Sequence, residues 1–286
     1  MSNFEKTIFE SGSTTYYWSS KFFPKGVRDD VFKLYSFVRV VDDMVDTIPA
    51  DTKRFKHMQR RWLDVKKQLA KGSVPQPQND SVDEKVLYNI AFIVHRYECE
   101  YEWVDGFLDS MQMDVDKRVY KTLDDTLGYI YGSAEVIGLF MARIMQLPIK
   151  PYAYAKLQGR AMQYINFIRD IDEDNQLGRC YFPEKILKKH ELTNLSEKTA
   201  QKNPEAFKSF IHEQINLYEQ WQLEANKGFT YIPKRLLIPL RTAVEMYNWT
   251  AEEIKKDPFV VYRKKVKPSK KRVLSTAAKL SVKQNQ

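Results

Sequence analysis

The sequence predicts an all-α, single-domain helical fold. Three observations carry that expectation. Only 10 glycines stand among 286 residues, and alternating β-branched runs are few, which argues against a β-rich fold. Apolar residues recur at helical spacing in one segment after another. No shift of composition marks a boundary before a basic tail, so residues 1–266 read as one helical domain and 267–286 as the tail. The 43% hydrophobic content, with 17 Tyr, 16 Phe and 5 Trp, is enough for large apolar walls.

Taken in order, the first expected helix covers 26–47, with Val31, Leu34, Tyr35, Val38, Val41 and Val45 at helical spacing. A charged, peripheral helix follows over 52–71. Residues 72–81, rich in Gly, Pro, Ser and Asn, form a loop. Helices are expected over 83–98 and 100–113. The most apolar helix, 122–146, carries Gly128, Gly132, Ser133, Ala134 and Gly138. An interior glycine costs about 1 kcal/mol relative to alanine, so several in one helix point to close helix packing or to a substrate channel. After Pro148 a helix covers 151–175, then a short one lies near 184–190, and long ones fill 203–230 and 235–255.

The net charge of +9 belongs to the tail. No acidic residue follows Asp257, whereas nine Lys and Arg do, leaving 37 charges of each sign before it. Such a tail suits an anionic membrane surface, a phosphorylated ligand or plain solvation. A neutral body makes a nucleic-acid partner an unsupported reading. Cys99 and Cys180 are too few for a disulfide framework, and scattered histidines give no zinc spacing. Neither a secretory signal nor an 18-residue apolar stretch is visible, so the expected location is cytoplasmic, with peripheral membrane contact through the tail as one reading.

Two acidic clusters carry the chemistry. Asp42, Asp43 and Asp46 close one apolar helix beside Arg39, and Asp170, Asp172, Glu173 and Asp174 close another beside Arg169. Asp42/Asp46 and Asp170/Asp174 are four residues apart, one helical turn, so each pair shares a face. Either pair alone could be solvated surface. Yet carboxylates ending apolar helices are costly to bury without a cation. Facing each other, the pairs would make an oxygen-rich cage of the kind Mg²⁺ prefers, able to hold a diphosphate. Gln163 and Asn166 extend the second cluster into a polar stripe, as in carboxylate sites built between facing helices.

These residues resemble the squalene/phytoene synthases, which join two prenyl diphosphates head to head. The matching motifs run in family order: Tyr35 to Asp46, Tyr129 to Gly138, Gln163 to Asp174, and Gly178 to Pro183. The resemblance extends from about residue 8 to 266 and implies an isoprenoid-synthase-type helical bundle around a central cavity. It implies that Asp42, Asp43, Asp46, Asp170 and Asp174 bind Mg²⁺, with Mn²⁺ as a substitute. Arg39, Arg169 and Arg179 would clamp phosphate oxygens. Tyr35, Tyr131, Gln163 and Asn166 would line the reaction chamber. Ser13 and Thr15 match a segment that approaches one diphosphate, more weakly because a second Ser often stands where Thr15 does. Tyr262 and Arg263 belong to a basic stretch that would reach the mouth of the site. Glu135 departs from the family, taking the place of a glycine beside the channel.

The reaction so implied is that of the phytoene type: two geranylgeranyl diphosphates condense through a cyclopropylcarbinyl diphosphate and lose a proton, with no NADPH. Squalene or dehydrosqualene synthesis from farnesyl diphosphate is the alternative, and an inactive relative serving as an assembly factor is the non-enzyme one. Chain-elongating prenyltransferases and terpene cyclases fit the Gln163–Asp174 pattern less well. Chain length, product geometry and oligomeric state are not legible in the motifs.

Overall fold

The computed structural model describes residues 3–117 and 119–284. Among them the chain forms α1 (Asn3–Gly12), α2 (Thr14–Ser20), α3 (Lys25–Asp46), α4 (Thr52–Leu69), α5 (Val82–Arg96) and α6 (Tyr101–Asp116). Then come α7 (Leu123–Ile130), a π-helical turn (Tyr131–Glu135), α8 (Val136–Ile144), α9 (Tyr152–Arg169) and α10 (Ile171–Gln176). They are followed by α11 (Glu184–Lys189), α12 (Glu197–Lys202), α13 (Pro204–Asn226), a 3₁₀ turn (Lys227–Tyr231), α14 (Lys234–Lys256), α15 (Val260–Arg263) and α16 (Lys270–Gln284). Side-chain oxygens start several of these helices. Asp51 accepts from the Arg54 amide and Ser81 from the Glu84 amide, while Thr122 and Asp125 form a reciprocal capping box.

Two apolar cores sit side by side. One gathers Phe9, Phe32, Phe37, Trp62 and Phe107 from α1 and α3–α6. The other gathers Tyr164, Phe167, Phe207, Phe210 and Tyr218 from α9 and α13. Helix α9 packs against α8, α13 and α14, and α3 against α5, α6 and α8. These two helices therefore stand back to back with the two cores and face each other across the space between.

Three departures from the sequence reading shape the site. The expected 122–146 helix is interrupted by the π turn, where the carbonyl of Tyr129 takes a 2.9 Å bond from the Ser110 hydroxyl. The expected 151–175 helix breaks at Asp170 (φ −100°, ψ 16°), so α10 restarts after it. Residues 270–284 form a helix seated on α2 and α14, with Val273 and Ala277 buried, Lys270 over the Trp18 ring and Arg272 over Trp249.

Candidate active site

The space between α3 and α9 is a cavity of about 280 Å³. Val31, Leu34, Tyr35 and Val38 give the α3 wall; Tyr154, Ala155, Gln158, Gly159, Met162, Gln163 and Asn166 give the α9 wall. Ile137, Gly138 and Met141 of α8, Tyr16 of α2, and Leu240 and Ala243 of α14 close it. Gly138 serves packing and channel at once. A Cβ there would stand 2.1 Å from the Ala155 carbonyl oxygen, so only glycine lets α8 lie this close to α9 along the cavity.

Both walls run into charge at the same end. Arg39 follows Val38 directly, with Asp42 and Asp43 one turn on; one turn beyond Asn166 come Arg169 and Asp170. Arg39 reaches Asp42 at 3.5 Å and Asp43 at 2.5 Å. Arg169 holds Asp170 through both oxygens, at 2.8 and 2.5 Å, and Lys265 lies 3.2 Å from the same carboxylate. Burial works to raise Asp170, but these cations outweigh it and keep the carboxyl below its ordinary value.

Arg179 joins the two clusters. Gly178, at φ +67°, ends α10 in the left-handed conformation, and the Arg179 amide bonds back to the Asp174 carbonyl at 2.8 Å. That turn sends the guanidinium across to α3, where it bonds Asp46 at 2.5 Å and the Val45 carbonyl at 2.7 Å. It also stands 3.8 Å from Asp114 of α6, a buried carboxylate that accepts from Tyr129 and Tyr181 hydroxyls at 2.7 and 2.6 Å. Burial pushes Asp114 up to about 6, against the pull of Arg179.

The donor chemistry suits a hard divalent cation. Burial and then the charge of Asp46 raise Asp42 well above its ordinary value, and burial and then Asp170 do the same to Asp174. The cluster thus carries a surplus of negative charge that an added cation would relieve, through oxygens alone. Among the described residues no three acidic, His or Cys side chains already converge on one point; the arginines and Lys265 engage them instead. The Arg179 Nε and the Asn166 Oδ1 are buried without a hydrogen-bond partner among the described residues, leaving a donor and an acceptor for a polar ligand.

A family profile described as squalene/phytoene synthase matches residues 9–272. The chain belongs to that family. It is 27% identical over 91% of its length to a 15-cis-phytoene synthase from a Paracoccus species, covering 84% of that protein. A 15-cis-phytoene synthase from Enterobacter agglomerans is 29% identical, over 84% of this chain and 81% of the relative. The fold is shared with a dehydrosqualene synthase solved in complex with a ligand, at a TM-score of 0.79 and 20% identity, covering 99% and 96% of the two chains. The protein is therefore an enzyme, a prenyltransferase of the squalene/phytoene synthase family.

Not every family position faces the chamber. Tyr131 is 37% exposed, with Lys156 over its ring at 5.1 Å, and does not line the cavity. It opens the π turn, whose wider winding changes which side chains face inward. Arg263 pairs with Asp257 at the surface, and Lys265, two residues on, reaches Asp170 in its place. Tyr262 donates to the Leu195 carbonyl at 2.8 Å and packs on Phe207, so it anchors the segment that presents Lys265. Ser13 caps α2 through the Tyr16 amide at 3.2 Å, and Thr15 is half-buried on that helix. Glu135 is 2% exposed and held by Arg160 at 2.7 Å and Lys156 at 3.4 Å, which neutralise it away from the cavity lining.

Two residues at the site escape the sequence reading. Asp114 has no periodic acidic partner that would single it out. Tyr247 of α14, buried beside Tyr16 (ring centroids 5.7 Å apart) and near Arg169, lies in a helix with no motif.

Proposed function

We propose that this enzyme is a phytoene synthase, joining two geranylgeranyl diphosphates head to head in carotenoid biosynthesis. One observation carries the reading: a long apolar cavity ends in a mouth of paired aspartates and arginines, the shape of a molecule with a hydrocarbon tail and a diphosphate head. Asp42, Asp46, Asp170 and Asp174 would hold Mg²⁺, with Mn²⁺ as a substitute and Asp43 assisting, and the metal supplies Lewis-acid neutralisation of the leaving diphosphate. Arg39, Arg169, Arg179 and Lys265 bind its oxygens, and the charge-assisted bonds strengthen as the C1–O bond breaks and its electron pair leaves with the diphosphate.

The allylic cation left behind lies among Tyr16, Tyr35 and Val38, whose walls exclude water. Ring faces stabilise such a cation by about 1–2 kcal/mol when desolvated. The π electrons of the second substrate's C2–C3 double bond then attack C1, giving the cyclopropylcarbinyl diphosphate. A second ionisation, rearrangement and proton loss complete the product without a redox cofactor. Residues 1–266 form the catalytic unit in this reading, with 267–286 a basic segment folded back on it. An apolar product suits a cytoplasmic enzyme in peripheral contact with an anionic membrane, and the cations of α16 support such contact.

Purified enzyme given geranylgeranyl diphosphate and Mg²⁺ without NADPH should yield phytoene on extraction. Coupling of farnesyl diphosphate alone moves the protein to the squalene or dehydrosqualene reaction. No coupled product from either substrate refutes the proposal.

A further inference from the structure

The end of the cavity opposite the acidic mouth is one loop away from the protein surface. Along α3, Lys25 stands 17 residues before Asp42, and along α9, Pro151 stands 19 before Asp170. At a helical rise of about 1.5 Å per residue, both helices put roughly 26–28 Å between the two ends. Three segments close the far end. Phe23 lies just before α3; Met145, Leu147 and Pro151 join α8 to α9; Phe229 and Ile232 lead into α14; all six line the cavity. The neighbour of a lining residue is already exposed: Pro24 after Phe23, Pro148 after Leu147, Lys150 before Pro151 and Pro233 after Ile232.

That surface is basic and carries an apolar tip. Residues 22–26, 145–151 and 229–235 contain no Asp or Glu but do contain Lys25, Lys150, Lys234 and Arg235, all four exposed. None of the four joins an ion pair among the described residues, whereas the acids just beyond them, Asp29, Asp30 and Glu224, are paired with Arg28, Lys33 and Lys227. Between Leu147 and Pro151, Ile149 is 76% exposed. Tyr231 stacks on Tyr154 of the wall, with ring centres 6.1 Å apart, and the Lys150 ammonium stands 5.5 Å from the Tyr231 centre. Segments 145–151 and 229–235 thus form one patch. An apolar side chain among unpaired cations, beside an amphipathic ring, matches acyl chains beneath anionic headgroups. Helix α16 is less suited: Val273 and Ala277 turn inward, and Lys270 and Arg272 lie over Trp18 and Trp249. We propose that the far end of the cavity is a docking surface for an anionic bilayer, entered by Ile149 and held by Lys25, Lys150, Lys234 and Arg235. The inference rests on the reading above, in which hydrocarbon tails fill this cavity from the acidic mouth inward. It sets the tail ends against the membrane that takes up the product.

The test is co-sedimentation of the full-length enzyme, without substrate, with vesicles of equal parts phosphatidylglycerol and phosphatidylcholine, and with phosphatidylcholine vesicles alone. Native enzyme should bind the anionic vesicles and not the neutral ones. It should be released at about 1 M salt, where the Debye length is about 3 Å. Each cation near such a surface contributes about fivefold to binding, so Lys150→Gln with Lys234→Gln should weaken it by about thirtyfold. Lys271→Gln with Lys279→Gln on α16, an equal loss of charge, should weaken it by less than fivefold. Ile149→Ser removes the side chain that enters the acyl boundary and should weaken binding by about tenfold. All these positions are exposed, so the circular dichroism of each variant should match the native enzyme. Native enzyme that stays in the supernatant, or binds neutral vesicles equally well, overturns the proposal. So does an α16 pair that matches or exceeds the Lys150/Lys234 pair, and Ile149→Ser without effect overturns the insertion of the tip. Vesicle binding needs no substrate, so its failure is distinct from a failure to form phytoene.

Discussion

Replacing Arg179 by methionine tests how the two acidic clusters are tied together. The guanidinium is 6% exposed and joins Asp46, the Val45 carbonyl and the neighbourhood of Asp114. Methionine keeps much of the volume and removes the charge. Removing one partner of a buried pair costs about 3–5 kcal/mol, because the remaining charge is left uncompensated. For a 286-residue chain, an unfolding entropy of about 2 cal/mol/K per residue gives about 0.6 kcal/mol/K and so a fall in Tm of roughly 5–8 °C. The loss should depend on pH. Asp114, raised to about 6, keeps in the folded state a proton that the unfolded chain has already released. Its contribution to stability therefore falls as pH rises from its ordinary value through 6, and loss of Arg179 extends that fall upward. Melting followed by far-UV circular dichroism should show the full loss at about pH 8 and less than half of it at about pH 5, where Asp114 is neutral. An equal loss at both pH values, or none, would refute the buried charge as its origin.

Asp42→Asn and, separately, Asp170→Asn should each lower turnover by about a hundredfold or more while leaving the helical signal intact; retained turnover would contradict the metal assignment. Glu84, gripped by Arg61 through bonds of 2.9 and 3.1 Å, is held below its ordinary value chiefly by that hydrogen bonding. Its stabilisation is present above the carboxylate range and is lost as pH falls through the lowered value. Glu84→Gln should therefore cost about 1–3 kcal/mol near neutrality and flatten the acid limb of a Tm-against-pH curve. Burial pushes the Cys99 thiol up to about 12, so an alkylating reagent at about pH 8 should leave it unmodified until the protein unfolds. Prompt labelling of native Cys99 would contradict its packing.

The acidic clusters were legible because their i,i+4 spacing is local and the helices that carry them are strongly periodic. The break at Asp170 was not, because neither glycine nor proline marks it. The Asp174 amide still bonds the Asp170 carbonyl at 2.8 Å, so the two carboxylates keep their relation across it. The π turn has no sequence signature either. It depends on α6, where Ser110 bonds the Tyr129 carbonyl and where a Cβ at Gly132 would lie 1.9 Å from the Gly106 carbonyl oxygen. The resemblance that implies a chamber role for Tyr131 carries no mark of the π turn, at which that side chain lies 37% exposed. In α16 the density of lysines obscured a signal that was present: Ser269 caps the helix through the Arg272 amide, and Val273 and Ala277 recur one turn apart.

The seat of α16 on α2 has a consequence for biosynthesis. Helix α2 ends at Ser20 and α16 begins at Lys270, so their contact joins segments made at very different times on the ribosome. Tyr16, Ser19 and Ser20 of α2 are part of the cavity wall. Until α14 and α16 have emerged, that wall lacks what it leans on, and the hydrocarbon-binding surface faces water and neighbouring chains. Such a long-range closure slows folding, since a large loop must be ordered before its contacts repay the cost. The enzyme should thus be most prone to aggregation, and most in need of a chaperone, in the interval between synthesis of α9 and arrival of α16.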